Sequence, residues 1–158
     1  MSSKLEKLLE TTVPVVLTGL LKEWLGYDGV ASKCNSGRTK APGEKLQGDN
    51  YLIGGAVILK LSALADFRFT DSLIRSLTGD ADTAVFKDVE RLDAVAELSN
   101  MLAGRLSKGL RASGVDLSIL HPNEEKAKGL DLENRPFMRS LAWTWISDDR
   151  QIDLTIAY

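Results

Sequence analysis

Apolar side chains recur at helical spacing from Leu5 to Trp24, and this pattern predicts an amphipathic helix at the start of the chain. Ser3 and Glu6 have the spacing of a capping box, and Gly26 lies just past the last apolar position. Pro14 falls inside the pattern, so we expect it to kink the helix or to split it in two. The apolar positions are Leu5, Leu8, Leu9, Val16, Leu17, Leu20, Leu21 and Trp24.

Residues 27–50 are polar and rich in glycine, which predicts a long polar loop with a short strand around Val30. The apolar run 51–61 predicts a buried strand, and Gly54 and Gly55 indicate a bulge or a close backbone approach within it. Ser62 is then expected to cap a helix that ends at Gly79. The inner positions of that helix would be Leu64, Phe67, Leu73, Ile74 and Leu77.

A second long helix is predicted over residues 86–112, in one piece or in two, because apolar positions again follow the helical period until Ser113 and Gly114. The alternation of residues 115–119 then predicts a half-buried strand that ends at Pro122. On the long helix, the positions expected to face the core are Leu92, Val95, Leu102, Leu106 and Leu110.

The last 18 residues alternate between apolar and polar side chains on both sides of a polar turn at 147–150, which predicts a hairpin. Helix, strand, two helices, strand and hairpin follow one another without an internal repeat or linker. We therefore expect a single domain, 1–158, of the α+β class: an antiparallel or mixed sheet with two long helices packed on one face.

Composition and charge exclude several classes of function. Twenty basic and 22 acidic residues give a formal net charge of −2 without a basic block, so nothing indicates a nucleic-acid or membrane-surface partner. The longest apolar stretch, 13–25, is interrupted by Pro14, Lys22 and Glu23, and no secretory signal precedes it. We expect a cytoplasmic protein.

One cysteine and one histidine offer little chemistry on their own. Cys34 lies in a polar stretch without a second thiol nearby, and His121 precedes a proline at a predicted strand end. This pair cannot assemble the usual zinc site, and Cys34 is interpreted as an incidental thiol. Catalysis, if present, must use carboxylates, amides or groups of a partner, and no metal ligand set is assigned.

The segment 97–104 carries the strongest candidate site. At about 100° per residue, Glu97, Asn100 and Gly104 fall within about 60° of one another, opposite the apolar side of the predicted helix. Glycine costs up to about 1 kcal/mol in a helix interior, and asparagine is a weak helix former. A closely approaching partner would explain both residues on this face.

The pattern Glu97-x-x-Asn100-x-x-x-Gly104-Arg105, followed by residues 113–119 and Pro122, resembles the CheX branch of the CheC/CheX/FliY chemotaxis phosphatases. The glycines around residues 48–59 resemble that family's glycine-flanked hairpin, and the closing alternation resembles its final strand pair. The single Glu-x-x-Asn pattern favours the CheX type. The polar stretch before Leu46, Pro14, and a final turn without glycine depart from the family.

The resemblance implies a phosphatase that hydrolyses the aspartyl phosphate of a CheY-like response regulator. Asn100 would position the attacking water, because an amide offers both an acceptor and donors. Glu97 would pair with the regulator's active-site lysine and set the register of docking. No cofactor is expected on this chain itself, since the magnesium ion belongs to the regulator.

Further partner contacts are expected from Asp93, Gly104 and Lys108, which extend the same face, with Arg111 at its rim. The resemblance also implies a homodimer, for which Trp143 or Trp145 would be the anchor if these side chains do not belong to the core.

Three alternatives stay open. Glu97 and Asn100 form a common solvated pair on many helices, and Gly104 would also permit close packing of a neighbouring helix. A non-catalytic adaptor that binds a regulator or a flagellar switch component is the second function considered. An inert scaffold that uses helix 86–112 as an oligomer interface is the third.

Overall fold

The structure, a computed structural model, describes residues 2–34, 45–81, 84–120, 129–148 and 150–158. Three helices are present in these ranges: α1 (Ser2–Leu25), α2 (Phe67–Thr78) and α3 (Asp88–Ala112). The strands described are β1 (Val30–Cys34), β2 (Lys45–Gly54), β3 (Val57–Asp66), β4 (Ser118–Ile119), β5 (Ser140–Ser147) and β6 (Arg150–Ala157).

The strands form one six-stranded sheet in the order β1-β5-β6-β3-β2-β4, and every neighbouring pair is antiparallel. Burial alternates along β3, where Leu59, Leu61, Ala63 and Ala65 are fully buried. The helices pack against this side of the sheet, with α3 lying over β2 and between α1 and α2. The expected α+β architecture is confirmed, with a shorter third helix beside the two long ones.

Helix α1 is continuous through Pro14, so the expected split is wrong. A proline in a helix interior costs about 3 kcal/mol because it removes one backbone hydrogen bond and crowds the preceding turn. Leu9, Val13 and Leu17 are all buried on either side of it, and their packing offsets that cost. Gly26 ends the helix as predicted, with φ +70° and its N–H donating to the Lys22 carbonyl.

The segment 45–66 is a hairpin, as the resemblance implied for residues 48–59, and it corrects two predictions made from the apolar pattern. Residues 45–50 belong to β2 rather than to the polar loop, and the run 51–61 is divided between two strands by a turn at Gly55, where φ is +57°. The short strand around Val30 is confirmed as β1. Ten register pairs hold the hairpin together, so strand pairing extends beyond the apolar residues that marked the strand in the sequence.

Helix α2 begins four residues later than predicted, because its cap is Asp66 rather than Ser62. The Asp66 carboxylate accepts a hydrogen bond of 2.7 Å from the Phe69 N–H and caps the helix, whereas Ser62 and Leu64 are paired in β3. Leu77, expected on the inner side, is 49% exposed in the last turn. Gly79 ends the helix as predicted.

The two tryptophans of β5 lie inside the domain. Trp143 and Trp145 are 1% and 0% exposed, and Trp145 packs edge-to-face on Phe69 with ring centroids 6.2 Å apart. Neither can serve as a dimer anchor, because both are already covered by the chain's own helices. The β5–β6 hairpin itself is confirmed, and Asp148, at φ +52°, adopts the left-handed conformation for which a glycine was expected.

The strand predicted over 115–119 is shorter than expected. Only Ser118 and Ile119 pair, with Ile53 and Leu52 of β2. The predicted end at His121 and Pro122 lies outside the described residues, as do residues 35–44 of the predicted polar loop.

Candidate functional site

Helix α3 is one continuous helix, and two contacts fix its middle turn against β2. A Cβ at Gly48 would lie 2.6 Å from the Val95 carbonyl oxygen, so only glycine lets the helix come this close. Asn50 lies two residues after Gly48 in β2, and its Nδ2 donates a hydrogen bond to the Ser99 Oγ at 3.0 Å. Ser99 is fully buried and lies between Glu97 and Asn100 in sequence, so the strand holds the backbone that carries both candidate residues.

Glu97 and Asn100 are both exposed, as predicted. Val95, Leu98 and Leu102 are fully buried on the opposite side of the helix, so neither candidate side chain is needed in the core. Within the part of the chain that the structure describes, neither one forms a hydrogen bond or an ion pair. Both are therefore available to groups from outside the chain.

Asp93 and Lys108 extend this exposed face in the two directions along α3. Asp93 and Glu97 are four residues apart, and two like charges at this spacing destabilise a helix by a few tenths of a kcal/mol. Neither carboxylate has a cationic partner among the described residues. A cation from a binding partner would remove this repulsion.

Gly104 has room for a side chain. In the described part of the chain, a Cβ there would meet only the Ile119 Cδ1, at 3.9 Å, which is an ordinary van der Waals distance. The packing alternative for Gly104 is therefore wrong for the helices that the structure describes, because none of them needs the space. Gly109 is the glycine that serves that purpose, since its Cβ would lie 2.8 Å from the Thr12 Cγ2 of α1.

The remaining cations near the C-terminal half of α3 are tied to this chain. Arg105 pairs with Glu23 of α1 at 2.6 Å, and Arg111 pairs with Asp116 at 2.8 Å. Lys108 has no such partner in the described ranges. A shallow groove of about 450 Å³ runs along this half of the helix, lined by Met101, Gly104, Arg105, Ser107, Lys108 and Arg111.

The N-terminal half of α3 is anchored on α2 by Arg91. Its guanidinium pairs with Asp71 at 2.7 Å and lies 4.6 Å from the centre of the Phe67 ring. The hydrogen bond that Arg91 donates to the Asp71 carboxylate raises the pKa of Arg91 above its ordinary value despite the opposing effect of desolvation. These contacts hold the start of α3 against α2.

One residue assigned to the core lies outside it. Leu92 is 46% exposed, and Val89, one turn earlier, is 60% exposed. Sequence periodicity placed Leu92 near the apolar side of α3 but could not show how far the neighbouring elements extend along the helix. The sequence pattern did not identify Gly48 and Asn50 as residues that position α3. A glycine within a strand can indicate a close backbone approach of this kind.

Cys34 is half-buried at the edge of the sheet, with its Sγ 3.1 Å from the Thr144 Oγ1. His121 lies outside the described residues. In the ranges that are described, no group of three or more histidine, cysteine, aspartate or glutamate side chains is placed to hold a metal ion.

No protein-family model matches the chain, and neither does any curated protein sequence. Solved structures do match. The chemotaxis protein CheX from Vibrio vulnificus superposes with a TM-score of 0.69 at 15% identity, over 92% of this chain and 95% of that one. The chain has a CheX-like fold.

Two further structures with this CheX-like fold extend the comparison. A CheX from Borrelia burgdorferi, solved in complex with CheY, BeF₃ and Mg²⁺, matches with a TM-score of 0.62 at 16% identity, over 93% of this chain and 95% of that one. The middle domain of FliM from Vibrio alginolyticus matches with a TM-score of 0.54 at 13% identity, over 96% and 91%. At these identities the likeness is one of fold. No described helix of this CheX-like domain is long and apolar enough to cross a bilayer.

Proposed function

We propose that this chain is a phosphatase that hydrolyses the aspartyl phosphate of a CheY-like response regulator. The observation that carries the proposal is the pair Glu97 and Asn100, exposed one turn apart on a helix whose backbone is fixed from behind. The CheX-like fold and the Borrelia CheX complex with CheY support a regulator as the partner.

Asn100 is the residue proposed to act on the reacting atoms. An aspartyl phosphate already has a good leaving group, and the regulator supplies Mg²⁺ and a lysine to neutralise the phosphoryl oxygens, so the phosphatase needs mainly to orient a water in line with the phosphorus. The amide oxygen accepts a hydrogen bond from that water, and the amide nitrogen donates to a phosphoryl oxygen. No proton transfer to Asn100 is required.

Glu97 is proposed to guide Asn100 into place. A carboxylate cannot usefully attack an anionic phosphoryl group, but it can pair with the lysine of the regulator's phosphorylation site. Docking excludes water from this ion pair, so the two charged groups must meet in a defined geometry. The pair thereby sets the register in which the two proteins dock. Asp93, Gly104 and Lys108 would border the same contact, and the chain would need no bound cofactor of its own.

The test measures the loss of phosphate from regulators. CheY-like receiver domains from the same organism are phosphorylated with a small-molecule phosphodonor, and the decay is followed with and without the protein. We expect at least one of them to be dephosphorylated faster with the intact protein. The Asn134→Ala variant serves as a control, since it truncates an exposed asparagine outside α3.

A non-catalytic adaptor is the second candidate, and the likeness to the FliM middle domain favours it. An adaptor would bind a regulator or a flagellar switch component without shortening the lifetime of the phosphate. Tight binding with an unchanged decay rate would therefore select the adaptor over the phosphatase.

We also propose that the protein works as a homodimer in the cytoplasm. The edge strand β1 supports this, because among the described strands it pairs only with β5, and Val30, paired there with Ile146, is 70% exposed. Light scattering should give about twice the chain mass of 17.3 kDa. A species of 17.3 kDa at micromolar concentration would contradict the dimer.

A further inference from the structure

Three exposed apolar residues form a stripe on the N-terminal half of α3. Val89 is 60% exposed, Leu92 is 46% exposed, and Ala96 is also exposed. Their spacing places them within about 60° of one another around the helix and over about 10 Å of its length. Scattered apolar residues on a surface need no explanation, but three on one side of one helix indicate a contact.

The stripe continues directly into the candidate site. Ala96 lies four residues before Asn100, so their side chains are neighbours on the helix surface. Val85, in the segment that leads into α3, is 91% exposed and extends the apolar character toward the helix start. A protein that approaches Asn100 closely enough to place a phosphoryl group beside it must also cover part of this stripe.

The same side of α3 is buried further along the helix. Ala103 and Ser107 lie in the angular sector of Val89 and Ala96, yet Ala103 is fully buried and Ser107 donates a hydrogen bond to the Leu117 carbonyl. The segment before β4 covers the helix there. The exposure of the N-terminal half is thus a property of the architecture rather than of one unusual side chain.

The charges beside the stripe are negative. Glu90, Asp93 and Glu97 form a row next to it, and the Asp93 and Glu97 carboxylates lack partners in the described part of the chain. Glu90 caps the helix through the Lys87 N–H at 2.7 Å. The complementary surface is therefore apolar with lysine or arginine beside it, which agrees with a lysine opposite Glu97.

We infer that Val89, Leu92 and Ala96 are the apolar anchor on which the response regulator docks, and that the regulator presents an apolar patch bordered by basic side chains. The inference rests on the proposed function, since it assigns the partner of the same site. It places the apolar anchor on the N-terminal half of α3, with Gly104 and Lys108 at the border of the contact.

The test uses the full chain and a CheY-like receiver domain of the same organism, loaded with beryllium fluoride and Mg²⁺ to hold it in a phosphoryl-like state. Calorimetric titration gives the dissociation constant for each variant. Leu92→Ser should weaken binding about tenfold or more, as expected for an apolar anchor, and Val89→Ser several-fold. Val15→Ser is the matched control, because Val15 is a helical valine of α1 with 72% exposure, on a different helix from the stripe.

The outcomes separate the anchor from the proposed function. If the unmodified protein binds none of the receivers, the proposed function fails. If it binds, and Leu92→Ser and Val89→Ser bind as tightly as Val15→Ser, the anchor is wrong while the function stands. If light scattering shows that these variants instead dissociate a dimer with unchanged regulator affinity, the stripe faces a second copy of the chain and the inference is overturned. Circular dichroism confirms that each variant is folded.

Discussion

Replacing Gly104 with alanine should stabilise the protein and weaken its interaction with the regulator. Among the described residues, a Cβ at this position has a single neighbour, the Ile119 Cδ1 at 3.9 Å, so the added methyl group fits without displacement. Alanine is favoured over glycine by about 1 kcal/mol in a helix interior, chiefly because glycine loses more backbone entropy on folding. For a chain of this size, that gain should raise Tm by about 2–4 °C.

Gly109→Ala is the matched control, because it makes the same change five residues later in α3. Its Cβ would lie 2.8 Å from the Thr12 Cγ2, and a β-branched side chain held between two helices has little freedom to move away. Overpacking of this kind costs about 1–3 kcal/mol, which cancels or exceeds the gain in helix propensity. We therefore expect Gly109→Ala to be neutral or destabilising.

Urea unfolding of both variants measures the free-energy changes, and titration with the beryllium fluoride-loaded regulator measures the affinity. Higher stability with lower affinity for Gly104→Ala would show that the glycine is kept for a partner. The reasoning would be refuted if Gly104→Ala destabilised the protein, because the space beside Ile119 would then be absent. Unchanged regulator affinity would remove Gly104 from the interface.

Other substitutions probe the same helix. Glu97→Lys should weaken regulator binding more than Glu97→Gln, because repulsion from the regulator's lysine adds to the loss of the ion pair. Equal affinities of the unmodified protein and both variants in titration would remove Glu97 from the contact. Gly48→Ala should lower the free energy of unfolding by about 1–3 kcal/mol, because a Cβ 2.6 Å from the Val95 carbonyl must push α3 away from β2. Urea unfolding measures this, and an unchanged midpoint would show that the helix is not held there. Asn50→Ala should lower the phosphatase rate at saturating regulator more than it changes the affinity for the regulator, since it releases the buried Ser99 hydroxyl behind Asn100. Equal effects on the rate and on the affinity would indicate a general loss of packing.

The sequence predicted those parts of the fold in which local pattern and tertiary context agree. The last hairpin and the single long helix α3 have regular apolar periods ended by turn residues, and both form as expected. The resemblance implied the β2–β3 hairpin, but the apolar pattern alone did not, because the paired residues include many polar side chains. Pro14 did not break α1 because buried residues on both sides hold the helix together. Local sequence rules do not account for such tertiary packing.

The candidate site was predicted in its residues but not in its surroundings. Exposure of Glu97 and Asn100 follows from their position opposite the apolar side of α3. The exposure of Leu92 does not follow, because periodicity describes one helix and cannot show which neighbouring elements end before reaching it. The support from Gly48 and Asn50 depends on a strand whose start was assigned to a loop.

The central claim is that Asn100 positions a water for attack on the regulator's aspartyl phosphate. Its most direct test compares the decay of a phosphorylated CheY-like receiver in the presence of the unmodified protein and of Asn100→Ala at saturating concentration. Loss of a group that orients and stabilises the transition state should reduce the acceleration by about a hundredfold, with an unchanged melting temperature because the side chain lies outside the core. Equal acceleration by the two proteins would contradict the role of Asn100.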